Sequence, residues 1–327
     1  MKRTAFSAIL GLSLLAAASL AGEDNPNSQA LTELYGYNDC VKLDNGKGCV
    51  AAVSGACGGR ILEYSLNGVN AIYVNPAQNG WTYTPGKPSI DPSGGRMDIG
   101  PEHTIPRHLD LWAGRWQVQR LGPLSARMSS MADSATGVQL VRDFVLDANS
   151  TTLKVTQTIK NISSKPVTWF HWSRTFATPG GICIVPLAPG SRFPGNYASF
   201  EPSFRVSLSP SDENVKLHGD TLFVTGQPKY AKLGFDCSTG QAGYITRDGL
   251  LFIKQFPVYP DKPYGELVAI NFSVCYQKTF CEIEPIGPQE TIQPGAEASF
   301  TETWSLAQCE FPKDPKPDFD QLRKLLK

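Results

Sequence analysis

Short apolar runs separated by turn-forming residues recur along most of the chain. The clearest example is LKVTQTI at 153–159, where apolar and polar positions alternate. A period of two residues is typical of a β-strand that buries one face. Asn-Gly at 67–68 separates two further runs, 60–66 and 69–74, and this dipeptide between such runs is a strong hairpin signal. The pattern predicts antiparallel strands joined by tight turns.

About sixteen runs of this kind, many of them about 8 to 12 residues apart, predict an all-β chain. The other predicted strands include 41–43, 50–53, 167–176, 205–208, 221–224, 232–235, 243–246, 250–256, 266–274, 280–286 and 299–306. Strands do not alternate with helices as in a parallel α/β sheet, and no repeat period indicates a propeller or solenoid. We therefore expect one large antiparallel double sheet, with a single short helix at 318–327.

The two ends of the chain differ in composition from its centre. Residues 1–21 combine two basic residues, an apolar run and Ser19-Leu20-Ala21, which together predict a secretory signal peptide. A polar leader at 22–32 precedes one β domain at 33–310, and a proline-rich tail with the short helix occupies 311–327. We expect an exported protein, periplasmic or secreted, without a membrane span.

The charge balance excludes some classes of partner. The chain has 30 Lys and Arg against 30 Asp and Glu, and loss of Lys2 and Arg3 with the signal leaves 28 basic residues. A nearly neutral balance lacks the basic surface typical of nucleic-acid binding. HExxH, P-loop and dinucleotide motifs are absent from the sequence. We therefore expect no nucleic-acid partner, no metal and no cofactor.

Eight cysteines are many for an exported chain of this size. In an oxidising compartment they predict disulfides rather than a metal site. Cys40 and Cys49 flank a predicted hairpin turn, and Cys275 and Cys281 flank another. Each pair is a candidate disulfide, but the connectivity does not follow from the sequence.

Potentially functional side chains are concentrated between Gly94 and Trp116. This stretch, GGRMDIGPEHTIPRHLDLWAGRW, contains Arg96, His103 and His108 among other charged and aromatic residues. Its glycines and prolines predict an ordered loop in the first half, and loops held on a rigid scaffold commonly carry binding residues. The alternative is a long crossover loop whose charges face water.

Five segments, taken in order, carry a family resemblance. They are LDNGKGCVAAVSGACGGRILEYSLNGVNAIYVNP, SGGRMDIGPEHTIPRH, LKVTQTIKNISSKPVTWFHWSRTF, YITRDGLLFIKQF and CEIEPIGPQETIQPGAEASFTETWSL, and they extend from about residue 38 to 307. In this order they resemble the galactose mutarotase-like supersandwich proteins and, within that group, the DUF4380 proteins. The resemblance implies a large antiparallel β-supersandwich and a sugar or oligosaccharide ligand.

The resemblance also implies a chemistry, which is the interconversion of sugar anomers. This reaction needs a general acid at the ring oxygen and a general base at the anomeric hydroxyl, and histidine and glutamate suit these roles because their pKa values are tunable. Matched residue by residue, Glu284 is implied as the base and His171 as the acid. His108 is implied as the loop histidine that holds or protonates the sugar.

Two departures from the family pattern leave alternatives open. His171 is followed by Trp172-Ser173-Arg174, and a shift of one residue in a strand would turn the histidine to the opposite face. His108 is followed by Leu109 where the family normally has glycine, and His103 competes with His108 for the role. Glu282 also competes with Glu284, because residues two apart share a strand face.

The remaining candidate ligand contacts are polar or aromatic residues of the predicted strands and the 94–116 stretch. They are Arg60, Arg96, His103, Trp172, Arg174, Lys254 and Glu282. Each has a structural alternative: a tryptophan in the core, an arginine tying a sheet edge, or Glu284 in a buried ion pair with Arg96 or Lys254. A role in the site is favoured for Lys254, because an unpaired buried lysine is costly.

The leading interpretation is an exported carbohydrate-binding protein with aldose 1-epimerase-type activity. A non-catalytic sugar-binding module on the same fold is the first alternative, and a carbohydrate lyase or hydrolase is the second. Because one fold serves many functions, the arrangement of the site has to decide between them.

Overall fold

The computed structural model describes residues 31–187, 190–313 and 317–326. Nearly all regular structure in these residues is antiparallel β-structure in two large sheets. The predicted all-β sandwich is therefore confirmed. The predicted signal peptide lies outside the described residues.

The described residues form 23 strands and a few short helical turns. The strands are β1 (Thr32–Leu34), β2 (Tyr37–Asp44), β3 (Cys49–Ser54), β4 (Arg60–Leu66), β5 (Val69–Asn70), β6 (Gly95–Gly100), β7 (Gln117–Gly122), β8 (Ser125–Ser129), β9 (Val138–Leu146), β10 (Leu153–Asn161), β11 (Val167–Ala177), β12 (Ile182–Pro186), β13 (Ala198–Glu201), β14 (Arg205–Ser207), β15 (Val215–His218), β16 (Thr221–Val224), β17 (Lys232–Phe235), β18 (Gln241–Ile245), β19 (Leu250–Gln255), β20 (Phe272–Tyr276), β21 (Cys281–Pro285), β22 (Glu290–Ile292) and β23 (Glu297–Gln308). The α-helices are α1 (Leu109–Trp112) and α2 (Phe319–Leu322), and 3₁₀ turns cover Pro76–Gln78, Pro202–Phe204, Leu267–Ala269 and Arg323–Leu326. None of the described helices is long and apolar enough to cross a membrane.

The first sheet has 13 strands in the order β1-β2-β3-β4-β6-β11-β21-β20-β17-β13-β14, with β5 paired to β4 and β22 to β11. The second sheet has 10 strands in the order β15-β16-β12-β18-β19-β23-β10-β9-β8-β7. Strand β11 lies inside the first sheet, between β6 and β21. These three strands carry most of the candidate site.

The main hydrophobic core lies between the two sheets. It combines inward side chains of the first sheet, such as Ile283 of β21, with those of the second sheet, such as Phe252 and Trp304. Successive residues of a strand point to opposite faces, so the neighbours of Ile283, Glu282 and Glu284, point away from the second sheet. We call this side of the first sheet its outer face.

The glycine-rich start of the 94–116 stretch is a strand rather than the predicted loop. Residues Gly95–Gly100 form β6, paired with β11 from Phe170↔Gly100 to Thr175↔Gly95. The glycines allow close packing here: a Cβ on Gly100 would lie 2.1 Å from Cζ of Phe170. The loop prediction failed because these glycines serve a close approach between neighbouring strands and not a turn.

Several predicted strand limits agree with the structure, and others do not. The runs at 60–66, 221–224 and 232–235 are strands over the same residues. The predicted strand at 266–274 begins with the turn Leu267–Ala269, and its strand starts only at Phe272.

The predicted C-terminal helix is a turn of α-helix continued by a 3₁₀ turn. Asp318 caps it by accepting a hydrogen bond from the backbone N–H of Gln321 at 3.1 Å. Leu322 and Leu326 pack on a separate apolar cluster of the second sheet that includes Ile184 and Phe223. The helix therefore covers part of the second sheet, away from the first.

The predicted disulfides are not present, because all eight cysteines have free thiols. Cys275 is paired in register with Glu282, and Cys281 with Tyr276. The two cysteines are one position out of register, so their side chains point to opposite faces of the sheet. Cys40 and Cys49 likewise belong to different apolar clusters.

Candidate functional site

Charged side chains from β6, β11 and β21 meet on the outer face of the first sheet. In the register of β6 and β11, Arg174 lies opposite Arg96 and Trp172 lies opposite Asp98. We call Arg96, Asp98, Trp172, Arg174, Glu282 and Glu284 the outer-face cluster. All six belong to central strands of the sheet, so a rigid scaffold holds them.

Arg174 links the two glutamates of the cluster. Its Nε donates to Oε1 of Glu284 at 3.2 Å, and its Nη2 donates to Oε1 of Glu282 at 3.1 Å. The glutamates are only 2% and 1% exposed. Burial raises the pKa of Glu282 to about 7, and the nearby charge of Glu284 adds to the shift while that of Arg174 opposes it. Because two carboxylates share one guanidinium, one of them holds its proton near neutral pH.

Loops on either side of the cluster cover it. Helix α1 holds the Trp112 ring against two cations, at 3.8 Å from the guanidinium carbon of Arg96 and 4.8 Å from that of Arg174. The Trp112 indole N–H donates to the carbonyl of Ile90 at 3.2 Å. The next residue, Asp91, forms an ion pair with Arg96, and its side chain is half exposed. The tryptophan therefore ties two loops together above the arginines.

Glycines allow α1 to lie close to the sheet. Gly58 has φ +66°, and a Cβ there would lie 2.2 Å from the carbonyl oxygen of Trp112. A Cβ on Gly59 would lie 2.4 Å from the Trp116 ring. The Gly-Gly pair before β4 thus contributes to the site by fixing the position of Trp112.

His108 and Asp98 form a hydrogen-bonded pair at the border of the cluster. Nε2 of His108 lies 2.9 Å from Oδ1 of Asp98, and Nδ1 lies 2.8 Å from the carbonyl oxygen of Pro106. Burial lowers the pKa of His108, but the hydrogen bond and charge of Asp98 outweigh it, so the pKa is raised above its ordinary value. A protonated His108 can donate hydrogen bonds from both ring nitrogens.

Lys232 of β17 is a further cation beside the cluster. Its Nζ lies 4.6 Å from the centre of the Trp172 ring and forms an ion pair with Glu102. Burial lowers its pKa, but the charges of Glu102 and Glu284 outweigh burial and raise it. The guanidinium carbon of Arg174 lies 5.6 Å from the centre of the same ring, so two cations lie near Trp172.

His171, the implied acid, does not belong to the cluster. It is an odd-numbered neighbour of Trp172 and points into the space between the sheets, where its ring stacks on Phe300 with centroids 5.8 Å apart. Its Nε2 lies 3.0 Å from the carbonyl oxygen of Ala298. Burial lowers its pKa to about 4. His171 therefore lies on the strand face opposite the cluster, where Nε2 has a backbone carbonyl as partner and Nδ1 has no hydrogen-bond partner among the described residues.

Lys254 is also directed between the sheets and not into the site. Its Nζ pairs with Glu302 at 3.2 Å and donates to the hydroxyls of Ser173 and Thr175 at 3.1 and 2.7 Å. Glu302 of β23 supplies the buried partner that the sequence argument lacked, so the structure does not bring Lys254 to the outer-face cluster. Burial still lowers the pKa of Lys254 to about 8.

Arg60 and His103 take no part in the cluster's contacts. Arg60 is buried and donates to the carbonyl of Ser93 at 2.8 Å and to the hydroxyl of Tyr37 at 2.6 Å. It is a structural tie between β4, β2 and a loop. His103 is exposed on the loop that follows β6, so of the two rival histidines only His108 reaches the cluster. Glu284 does not pair with Arg96, one of its two predicted partners. It pairs with Arg174, and Arg96 pairs with Asp91.

Sequence reasoning missed Asp91 and Lys232. Asp91 lies in a loop rich in proline, glycine and serine that carries no pattern. Lys232 begins a correctly predicted strand, but nothing in the sequence indicated that this strand lies near β21. Among the described residues, no group of three or more His, Cys, Asp or Glu side chains has the arrangement of a metal site.

No protein-family model and no curated protein matches the sequence, so the finer resemblance to the DUF4380 proteins is not supported. Solved structures do match. A galactose mutarotase related enzyme from Lactobacillus acidophilus is similar with a TM-score of 0.58 at 11% identity, over 83% of this chain and 98% of that one. A galactose mutarotase-like protein from Lactobacillus casei gives 0.55 at 11% identity, over 82% and 100% of the two chains.

A candidate aldose 1-epimerase from Escherichia coli K12 gives a TM-score of 0.54 at 12% identity, covering 82% of this chain and 99% of that one. The chain therefore has the galactose mutarotase-like fold. Matches at such low sequence identity show a shared fold only, so the function has to be argued from the outer-face cluster.

Proposed function

We propose that the protein binds a carbohydrate at the outer-face cluster. The observation that carries this proposal is the placement of Glu282 and Glu284 around one arginine, next to the rings of Trp112 and Trp172. A sugar ring presents hydroxyl groups at its edge and C–H groups on its faces. Carboxylates and arginines exchange hydrogen bonds with the hydroxyls, and indole rings pack on the apolar faces.

Unsatisfied donors in the cluster support the same proposal. The indole N–H of Trp172 and the Nε and Nη1 groups of Arg96 are buried without a hydrogen-bond partner in the protein. A buried donor without a partner costs about 1–3 kcal/mol. A ligand oxygen placed among them would recover part of this cost, and a sugar carries several such oxygens.

The test is a panel of neutral and acidic monosaccharides, read by thermal shift and by saturation-transfer NMR. We expect at least one sugar to stabilise the wild type and Glu284→Gln to weaken its binding. Glu297 is exposed on β23 of the second sheet, outside the outer-face cluster. Glu297→Gln is therefore the matched control and should bind the sugar as the wild type does. If no sugar binds the wild type at millimolar concentration, the proposal fails.

Anomer interconversion is the second candidate, and a specific observation favours it. Burial raises the pKa of Glu282 to about 7, and the hydrogen bond and charge of Asp98 outweigh burial and raise the pKa of His108 above its ordinary value. In this reaction Glu282 takes the proton of the anomeric hydroxyl while His108 protonates the ring oxygen. The bond between C1 and the ring oxygen breaks, the C1–C2 bond rotates, and closure on the other face returns both protons. The roles implied for His171 and Glu284 pass to His108 and Glu282.

Anomer-resolved exchange NMR separates this candidate from binding alone. We expect Glu282→Gln to lower the exchange rate by about 10² to 10⁴, the usual contribution of a positioned acid or base, with little change in affinity. A wild type that binds a sugar without accelerating its exchange would leave the non-catalytic module as the function.

We further propose that the protein is exported, because 1–21 has the three parts of a signal peptide. Mass spectrometry of the protein from its native cell should give a mature chain that begins at or near Gly22. A chain that keeps residues 1–21 would refute export by this signal.

A further inference from the structure

A second pocket lies at the β13–β14 edge of the first sheet, on the face opposite the outer-face cluster. Strand β13 begins at Ala198, which packs in an apolar cluster with Phe170 and Trp172, whereas the preceding residue, Tyr197, belongs to the core between the sheets. Leu233 of β17 is also a core residue and lines the pocket together with Tyr197. The pocket therefore opens on the inner side of the sheet, where the sheet ends.

The pocket has a volume of about 250 Å³ and a lining rich in hydroxyl groups. Ser199, Ser207 and Ser209 contribute hydroxyls, and Tyr197 and Tyr230 contribute aromatic rings. Drug-sized ligands occupy pockets of roughly 300–1,000 Å³, so this space suits a smaller ligand, of the size of one sugar ring.

The hydroxyl of Tyr197 is the group that points to a ligand. The residue is 4% exposed, and its hydroxyl is buried without a hydrogen-bond partner in the protein. Burial raises its pKa to about 12, and the charge of Asp212, another lining residue, adds to the shift. Tyr197 is itself one of the residues that line the pocket, and the hydroxyl is the hydrogen-bonding group of its side chain. Buried polar groups are nearly always hydrogen-bonded, so a partner from outside the protein is expected here.

Both carboxylates that line the pocket have partners within the protein. Both carboxylate oxygens of Asp212 accept backbone hydrogen bonds, from Asn214 at 2.9 Å and from Lys229 at 2.7 Å. Glu201 forms an ion pair with Arg205 at 3.4 Å. The remaining charge is that of Lys229, whose Nζ lies 5.1 Å from the centre of the Tyr230 ring. Most of the other polar groups of the lining are hydroxyls, which fits a neutral ligand that exchanges hydrogen bonds.

We propose that this pocket is a second binding site, which takes one ring of a neutral sugar. The ring hydroxyls would bond Tyr197 and the serines, and the ring face would lie on Tyr230. The proposal goes beyond the proposed function and is independent of it, because the two sites lie on opposite faces of the first sheet.

The test uses the methyl glycosides of glucose, galactose and mannose, whose anomeric centres cannot open. The protein is labelled with 3-fluorotyrosine, and the ¹⁹F resonance that is missing from Tyr197→Phe identifies Tyr197. We expect at least one glycoside to shift this resonance. Tyr197→Phe removes the hydroxyl and keeps the ring, and binding to this variant is read from the resonance of Tyr230, which also lines the pocket. The variant should bind the glycoside about tenfold more weakly, as loss of one buried hydrogen bond does.

Ser209→Trp provides a second variant, because Ser209 is exposed and a large ring at this position fills the pocket without entering the core. It should abolish the shift, whereas Tyr259→Phe should leave it unchanged. Glu284→Gln should also leave it unchanged, which separates this site from the outer-face cluster. An unmoved Tyr197 resonance with every glycoside, or equal binding by Ser209→Trp and the wild type, would overturn the proposal.

Discussion

Glu282 and Glu284 compete for one guanidinium, and this competition sets the charge of the outer-face cluster. Arg174 also lies 3.9 Å from Asp91, so it is shared by several carboxylates. Burial favours the neutral form of an acid, and a second carboxylate nearby favours it further. The cluster therefore takes up and releases a proton near neutral pH, although each carboxylate has a cationic neighbour.

The first prediction concerns this proton. Carboxyl ¹³C NMR should show one glutamate that titrates near pH 7, in agreement with the raised pKa of Glu282, and Glu282→Gln should remove that titration. Arg174→Met should move the titration to higher pH, because the positive charge that favours the ionised form is gone. Carboxyl groups that all titrate at ordinary values would contradict this description of the cluster.

The second prediction concerns His171. The unfolded chain protonates this histidine near the ordinary 6.5, whereas the folded protein does so near 4. Between these values the unfolded state binds more protons, so the free energy of unfolding falls as the pH drops from 6.5 to 4. The shift corresponds to a loss on the order of 3 kcal/mol.

Urea denaturation of His171→Gln measures this contribution. As the pH falls through this window, the free energy of unfolding of the wild type should fall by more than that of His171→Gln. His103→Gln, at an exposed position, should follow the wild type throughout. A constant difference between wild type and His171→Gln from pH 6.5 to 4 would show that His171 does not titrate in this way.

At the scale of elements, the alternation of β11 decides which residues reach the site. The sequence predicted the strand and most of its length, because a turn at 161–165 is followed by a run rich in β-branched and aromatic residues. It did not predict the face, because Phe170, His171 and Trp172 are all buried and both faces of the strand are covered. When both faces of a strand are buried, its sequence does not alternate between apolar and polar residues, so the pattern does not show which face each residue occupies. This is why the family pattern led to His171 while Arg174 makes the contacts.

The third prediction tests the contact between β6 and β11. Gly100→Ala places a methyl group against the ring of Phe170, and overpacking of this kind costs about 1–3 kcal/mol. The midpoint of urea denaturation should fall accordingly. Gly122→Ala on β7 is the matched control, because its nearest neighbour is only the hydroxyl of Ser125 at 3.0 Å. Equal stability of the two variants would mean that β6 is not held as tightly as described.

At the scale of the whole molecule, polar contacts between the sheets accompany the hydrophobic core. Arg142 of the second sheet donates to the carbonyls of Gly59 and Gly95 in the first, at 3.2 and 2.8 Å. Lys254 reaches the first sheet in the same way, through Ser173 and Thr175. The sequence predicted the double sheet from its many strands, but not these ties, since each depends on residues brought together only by the packing of one sheet on the other.

The fourth prediction concerns the buried pair of Lys254 and Glu302. Removing one partner of such a pair costs about 3–5 kcal/mol, because the other charge remains buried alone. Lys254→Met and Glu302→Gln should each destabilise the protein by this order, and the double variant should lose less than the sum of the two. Additive losses in the free energy of unfolding would show that the two residues are not coupled.

The most direct test of the central claim is a crystal structure of the protein soaked with the tightest-binding sugar of the panel. We predict a sugar ring on the outer face, within hydrogen-bond distance of Glu282, Glu284 or Arg174, with Trp112 or Trp172 against one of its faces. A sugar that occupies only other parts of the molecule at saturating concentration would contradict the assignment of the outer-face cluster as the carbohydrate site.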